Sequence, residues 1–174
     1  MRETKYFSAF GVDYRTRHFA AYGAVGMFGR LDEIHPTELL ALTEVRDGEE
    51  WHSLGSPQNI DRYVRDVLGI VRPHEVLAAL MSLVKQYNFG FKVAKVNVPH
   101  RFRSKTEEKD DPGGMHPVLS WLYTEKQASW RELQEDYTLE DAFRMHRELL
   151  KSKVKAALES EAAQKEAKAK AKGG

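Results

Sequence analysis

The sequence predicts a mainly α protein with a minor short-strand element, because three segments combine helix-start signals with apolar residues at three- and four-residue spacing. These segments are His35–Leu42, Ser56–Leu68 and Pro73–Tyr87, and each has a proline in its expected first turn. The last of them is the most apolar, so we expect it at the centre of the core. A less regular apolar spacing from His18 to Phe28 predicts a further helix, which Gly29 can close.

Two other segments carry the predicted strands. The aromatic segment Tyr6–Tyr14 alternates partly with a period of two around Gly11, which predicts either a short strand pair or an extended arm. In Lys92–Pro99, lysine and asparagine alternate with valine until the proline, which predicts a strand able to pair with the N-terminal one. We therefore expect strand to be a small part of the fold.

Changes in composition divide the 174 residues into three parts. Residues 1–100 form the predicted compact helical domain, since the chain is long enough for one ordinary core with an appendage. Residues 101–114 read RFRSKTEEKDDPGG and are almost free of apolar side chains, so they are predicted to be a polar linker. Residues 115–174 form a predicted helical extension with a charged tail.

The extension begins with aromatic segments and ends in a long charged helix. Met115–Tyr123 predicts a short aromatic helix, and a second short helix is expected around Trp130. Thr138 caps a longer helix with an apolar stripe from Leu139 to Leu158. Residues 161–172, EAAQKEAKAKAK, predict a solvated helical spacer. The stripe either folds back on the domain or docks a partner, and the sequence leaves these two interpretations equal.

Composition argues against several classes of function. Lysine plus arginine (27) nearly cancels aspartate plus glutamate (26), so no whole-chain field favours nucleic acid or an anionic membrane. Without cysteine, the chain has no disulfide, thiolate nucleophile or thiolate metal site. No stretch approaches the roughly 18 to 20 apolar residues that span a bilayer. The first residues lack a signal-like apolar run, so we expect a cytoplasmic protein with no membrane partner.

No set of residues predicts catalysis, a metal ion or a cofactor. The seven histidines include no helical ligand pair such as HExxH, and several adjoin prolines at predicted helix starts or loop ends. Neighbouring acids such as Glu49 and Glu50 lie in turns or in the linker, where a solvated charge run is the better interpretation. A nucleophile-elbow GxSxG is absent. We therefore expect a protein that is not an enzyme.

Aromatic and aliphatic side chains that the helices leave over are the candidate protein-binding residues. Tyrosine and tryptophan are enriched among interface anchors, and many aromatics of this chain lie in two polar-flanked segments outside the long helices. Packing in the core is an equal alternative for them. The candidates are Tyr6, Phe7, Phe10, Tyr14, Trp121, Tyr123, Trp130, Leu139, Phe143, Leu150, Val154 and Leu158.

Several short features also follow one another in a particular order. They are Val12-Asp13-Tyr14, a small-residue helix, Glu38-Leu39-Leu40, Trp51, the helix Ile60 to Leu68, and Pro73-His74-Glu75-Val76-Leu77. Over about residues 5 to 100 this order resembles the small helical tail assembly chaperones of tailed bacteriophages, including baseplate hub assembly proteins. The later Trp121-Leu122 and Tyr137-Thr138-Leu139-Glu140-Asp141-Ala142 helices are similar to the extension such proteins often carry. The lysine-alanine ending is unusual for the family.

The resemblance implies a non-enzymatic assembly factor that acts in the host cytoplasm. Such a factor holds the tape measure protein or baseplate hub components until the tail tube forms around them. One alternative is a structural component that is retained in the virion tail, and another is a nucleic-acid-associated regulator that uses the lysine-rich C-terminal helix, although a solvated helix is favoured there. The partners are then other phage tail proteins, and self-association is left open.

Overall fold

The computed structural model describes residues 2–102 and 115–172, which belong to two compact units. The first unit comprises Met1–Lys92 and Ser129–Asp141, and the second comprises Val93–Ala128 and Ala142–Gly174. Most of the predicted linker lies outside the described residues. The predicted division into 1–100, 101–114 and 115–174 stays a prediction.

The first unit contains a four-stranded antiparallel sheet, so the prediction of a mainly α fold with a minor strand element is wrong. The strands are β1 (Thr4–Ala9), β2 (Val12–Arg17), β3 (Thr43–Asp47) and β4 (Glu50–Ser53), and they lie side by side in this order. Of the two interpretations of the N-terminal aromatic segment, the structure has the strand pair. Its turn places Phe10 and Gly11 at φ 54° and 75°, as a two-residue hairpin turn of this hand requires.

Helices supply the rest of the regular structure. In chain order they are α1 (Ala21–Phe28), α2 (Pro36–Leu39), α3 (Pro57–Tyr63), α4 (Pro73–Phe89), α5 (Pro117–Thr124), α6 (Trp130–Glu135) and α7 (Leu139–Lys172). The predicted start of α3 is confirmed, because the Ser56 hydroxyl accepts a hydrogen bond from the backbone N–H of Asn59 at 3.3 Å.

The predicted helix to Leu68 ends early, at Tyr63. The following turn is held by Asp66, whose carboxylate accepts hydrogen bonds from the backbone N–H groups of Ile70 and Val71 at 2.8 and 2.9 Å. These bonds lower the pKa of Asp66 and provide a local alternative to helical bonding. Leu68, expected on the apolar face of the helix, is therefore 78% exposed.

The core of the first unit lies on one face of the sheet. Tyr14 and Val45 pair across β2 and β3, and both side chains are almost fully buried. In α4 the buried side chains Val76, Leu80 and Val84 recur every four residues, so they form a single stripe. Each such side chain contributes roughly 1.5–3 kcal/mol when it leaves water. The prediction that α4 is a core helix is confirmed.

A buried amide joins the last turn of α4 to the segment before α1. The side-chain oxygen of Asn88 accepts a hydrogen bond from the backbone N–H of Phe19 at 2.9 Å, and its Nδ2 donates to the carbonyl of Val84 at 3.1 Å. Asn88 is only 6% exposed. If one partner of these bonds were removed, the other would therefore be left buried, with neither a hydrogen bond nor water to replace it. This contact fixes where the chain enters α1.

The second unit contains α5, most of α7 and the segment from Val93 to Phe102. The predicted strand over residues 92–99 is wrong, since these residues form neither helix nor strand ladder, and a 3₁₀ turn follows at His100–Phe102. The start of α7 confirms the predicted cap, because the Thr138 hydroxyl accepts from the backbone N–H of Asp141 at 3.1 Å. Among the described helices, none is long and apolar enough to cross a membrane.

Replacement of Leu80 tests the role of α4. Leu80→Ala removes a side chain that is 1% exposed, so we expect the free energy of unfolding to fall by about 2–5 kcal/mol. Leu83→Ala is the matched control on the same helix, since Leu83 is 47% exposed and its truncation is expected to cost less than about 1 kcal/mol. Chemical denaturation measures both values, and equal losses would contradict the assigned core face.

His18 makes the stability of the first unit depend on pH. Its ring stacks on Tyr87 at 3.9 Å, and desolvation lowers the pKa of His18 despite the opposing effects of Asn88, Glu140, Asp141 and Glu3. The unfolded chain therefore binds the proton more readily. The contribution of neutral His18 is fully present above its ordinary pKa of 6.5 and is lost as pH falls through the lower folded value.

We therefore expect His18→Phe, which keeps a ring against Tyr87 but cannot titrate, to lose less stability between pH 7 and pH 5 than the parent chain. Urea denaturation at several pH values measures the difference between the two proteins. The other titrating groups are common to both and cancel in that difference. Parallel curves would show that His18 has no such effect.

Candidate functional site: an apolar groove in the second unit

A groove of about 780 Å³ lies in the second unit, bounded by the 93–102 segment, α5 and α7. Its wall is mostly apolar and is built from side chains that are half-buried rather than enclosed. The lining residues are Val96, Val98, Phe102, Trp121, Glu125, His146, Leu150, Lys153, Val154 and Ala157. Concave, mainly apolar surfaces with a few polar groups are the usual form of binding sites.

One face of α7 supplies half of this wall. His146, Leu150, Val154 and Ala157 follow one another at steps of four, four and three, so they lie along one side of the helix. Leu158, in the same turn as Val154, is 41% exposed. The part of the predicted stripe from His146 to Ala157 therefore borders an open groove within the second unit.

The helix α5 supplies the aromatic part of the wall. His116 caps this helix by accepting the backbone N–H of Val118 at 3.3 Å, and Trp121 lies one turn further along. The indole of Trp121 meets the ring of His146 edge to face, with centroids 4.7 Å apart. Trp121 thus lines the same groove as the aliphatic side chains of α7.

The charged groups at the rim are paired with each other. Lys153 Nζ lies 2.7 Å from Glu125 Oε2, and Arg101 lies 2.9 Å from Glu161. The hydrogen bond from Lys153, assisted by one from Trp121, lowers the pKa of Glu125. Glu125 therefore stays ionised near neutral pH, a state unsuited to donating a proton in catalysis.

The twelve sequence candidates fall into both units. Tyr6, Phe7, Phe10, Tyr14, Trp130 and Leu139 belong to the first unit, whereas Trp121, Tyr123, Phe143, Leu150, Val154 and Leu158 belong to the second. Of the second group, Trp121, Leu150 and Val154 line the groove. Tyr123 is 52% exposed outside the lining, and Phe143 packs on the ring of His116 at 6.2 Å.

The candidates of the first unit have different surroundings. Tyr14 is buried and stacks on Phe7 at 5.5 Å, and Leu139 is also buried. Phe10 is half-buried in the hairpin turn. Trp130 meets Tyr22 edge to face at 4.8 Å.

Tyr6 alone among the six is widely exposed, at 64%, on the outward face of the sheet. Its ring meets Trp51 at 6.0 Å, and the guanidinium of Arg15 lies over the same tryptophan. Arg15 is in turn paired with Glu44, and this bond is the main cause of its raised pKa. This cluster is a second, smaller exposed aromatic surface.

Sequence reasoning missed Val96, Val98, Phe102, Glu125 and Lys153 as groove residues, whereas His146 and Ala157 lie within the stripe predicted from Leu139 to Leu158. The alternation of valine in 92–99 was visible in the sequence, but it was interpreted as a strand of the first domain. Within residues 2–102 and 115–172, no group of three or more histidine, aspartate or glutamate side chains is placed to hold a metal ion.

No known protein family, no curated protein and no solved structure matches the chain significantly.

Proposed function

We propose that this chain is a non-enzymatic factor that binds another polypeptide in the groove of its second unit. The observation that carries the proposal is the open apolar wall, to which the 93–102 segment, α5 and α7 all contribute half-buried side chains. Apolar surface that stays accessible next to a tryptophan is characteristic of protein-binding sites.

Two polar segments of the chain itself offer no apolar occupant for this groove. Residues 103–114 read RSKTEEKDDPGG and carry no aliphatic or aromatic side chain apart from Pro112. Alanine is the sole apolar residue type in 161–172. Neither segment supplies a matching apolar surface, which in this proposal comes from another molecule.

The paired rim charges support binding rather than catalysis. General acid–base catalysis needs a group with a pKa near the working pH, and the ion pair with Lys153 moves the pKa of Glu125 the other way. A polar rim around an apolar centre is also the usual arrangement of a protein-binding surface.

The resemblance to phage tail assembly chaperones names the partners to test first, the tape measure protein and the baseplate hub components. The four-stranded sheet is a departure from the helical architecture that the resemblance implies. The order of features along the chain is what supports a phage assembly role. A structural protein retained in the tail would bind the same partners but would be present in purified virions.

The test compares two aspartate substitutions on α7. Leu150→Asp places a carboxylate in the groove, and burying it against an apolar partner is unfavourable, so we expect partner affinity to fall by about tenfold or more. Ala156→Asp adds the same charge at an exposed position outside the groove lining and should leave affinity unchanged. Co-elution and titration with the tape measure protein and the hub proteins of the same genome measure the effect.

Circular dichroism and denaturation establish that both variants are folded. Equal affinity of the two variants for a partner would place the binding surface elsewhere. The absence of a complex with the tape measure protein and with every hub protein would contradict the phage assembly role.

A further inference from the structure

Residues 93–97 form part of the segment that builds one wall of the groove, yet no other described residue pairs with their backbone. Within the described parts of the chain, no hydrogen bond involves a backbone N–H or C=O group of these five residues. Most backbone groups in folded proteins are paired with other protein groups or with water. Five consecutive residues without a protein partner are available for an additional strand.

The side chains of this segment suit a strand. Valine has a high preference for strands, and over residues 95–98 the exposed Lys95 and Asn97 alternate with the half-buried Val96 and Val98, both of which line the groove. The sequence predicts a strand here because valine alternates with polar residues. That prediction is wrong for the described chain, since none of the described strand ladders includes these residues.

The position of Val96 connects the unpaired backbone to the groove. Val96 lines the groove with Trp121 and Leu150. In a paired strand, the residue opposite Val96 and those two positions away point to the same face as Val96. A strand added here would therefore direct alternate side chains toward the apolar wall while its backbone pairs with residues 93–97.

The charge of Lys95 indicates which side chains the other face of the added strand carries. Lys95 is exposed and has no ion-pair partner among residues 2–102 and 115–172. The neighbouring cations Arg101 and Lys153 are already paired with Glu161 and Glu125. An acidic side chain opposite Lys95 gives a favourable cross-strand pair, whereas a basic one is repelled.

We propose that the groove takes its partner as an extended strand that pairs with residues 93–97, with apolar side chains toward Trp121 and Leu150 and acidic ones toward Lys95. This inference rests on the proposed function and specifies the form of the bound polypeptide. A helix in the groove or a second copy of the chain would use the apolar wall differently, and the experiment separates both from the strand.

The probe is a short synthetic peptide with valine at alternate positions and glutamate or threonine between them, titrated against the full-length chain by calorimetry. Two further versions carry N-methyl groups on alternate backbone nitrogens, one version on the odd and the other on the even positions. A strand added to one edge donates from alternate residues only. One methylated version should therefore bind about tenfold or more weakly, and the other should bind nearly as well as the parent.

A charge exchange provides the matched control. Lys95→Glu should weaken binding of the acidic peptide and strengthen binding of the version with lysine in place of glutamate. Leu150→Asp should weaken both, because the apolar wall is common to them. An equal effect of the two methylation patterns on affinity, or no effect of the charge exchange, would overturn the proposal that the partner binds as a strand.

Other outcomes separate this inference from the proposed function. An amphipathic helical peptide or the full partner could bind the parent chain but not the Leu150→Asp variant, while the strand peptide binds neither. In that case the partner does not bind as a strand, but the proposed function as a polypeptide-binding factor stands. A concentration-dependent dimer that Ala94→Pro abolishes would show that a second copy occupies the edge, which also overturns the inference. If the strand peptide binds the Leu150→Asp variant unchanged, the groove itself is not its site.

Discussion

Backbone hydrogen bonding is the constraint on which both units depend. In the first unit the strands satisfy one another, and the end of α4 uses the amide of Asn88 to satisfy the N–H of Phe19 at a buried position. That one bond joins residues far apart in the chain and ties the end of α4 to the segment between β2 and α1, where the N–H of Ala21 is in turn bonded to the carbonyl of Tyr137. In the second unit, no described residue meets this requirement for the backbone of residues 93–97.

The parts of the fold that local pattern specifies could be predicted from the sequence. The helix α4 has a proline at its first position and buried side chains every four residues, and neither feature depends on distant contacts. The hairpin of β3 and β4 was missed, although Thr43 and Val45 alternate with polar residues and Gly48 follows Asp47. A strand of five residues becomes identifiable only through its neighbours, and β2, the neighbour of β3, lies well before it in the chain.

The candidate site shows the same division between local and distant information. The α7 stripe with Leu150 and Val154 could be found because helical spacing is local. Its neighbour Val96 could not, since the chain returns to α7 only after the predicted linker and α5. Period-two alternation also indicates that adjacent strand residues face opposite sides but not which side is covered. Tyr6 is therefore exposed and Phe7 packs on Tyr14, although both were equal candidates.

An apolar groove and an unpaired strand edge provide different things to a binding site. Apolar contact is non-directional. The face formed by Trp121 and α7 would therefore accept many apolar polypeptide segments in several registers. A backbone ladder adds direction and register, because each slip by one residue turns the apolar side chains away from the wall. Backbone pairing alone would accept any exposed strand. An exposed cation such as Lys95 disfavours strands with basic side chains and the same edge of a second copy. In the proposed binding mode, affinity would therefore come from the apolar wall and selectivity from pairing with residues 93–97.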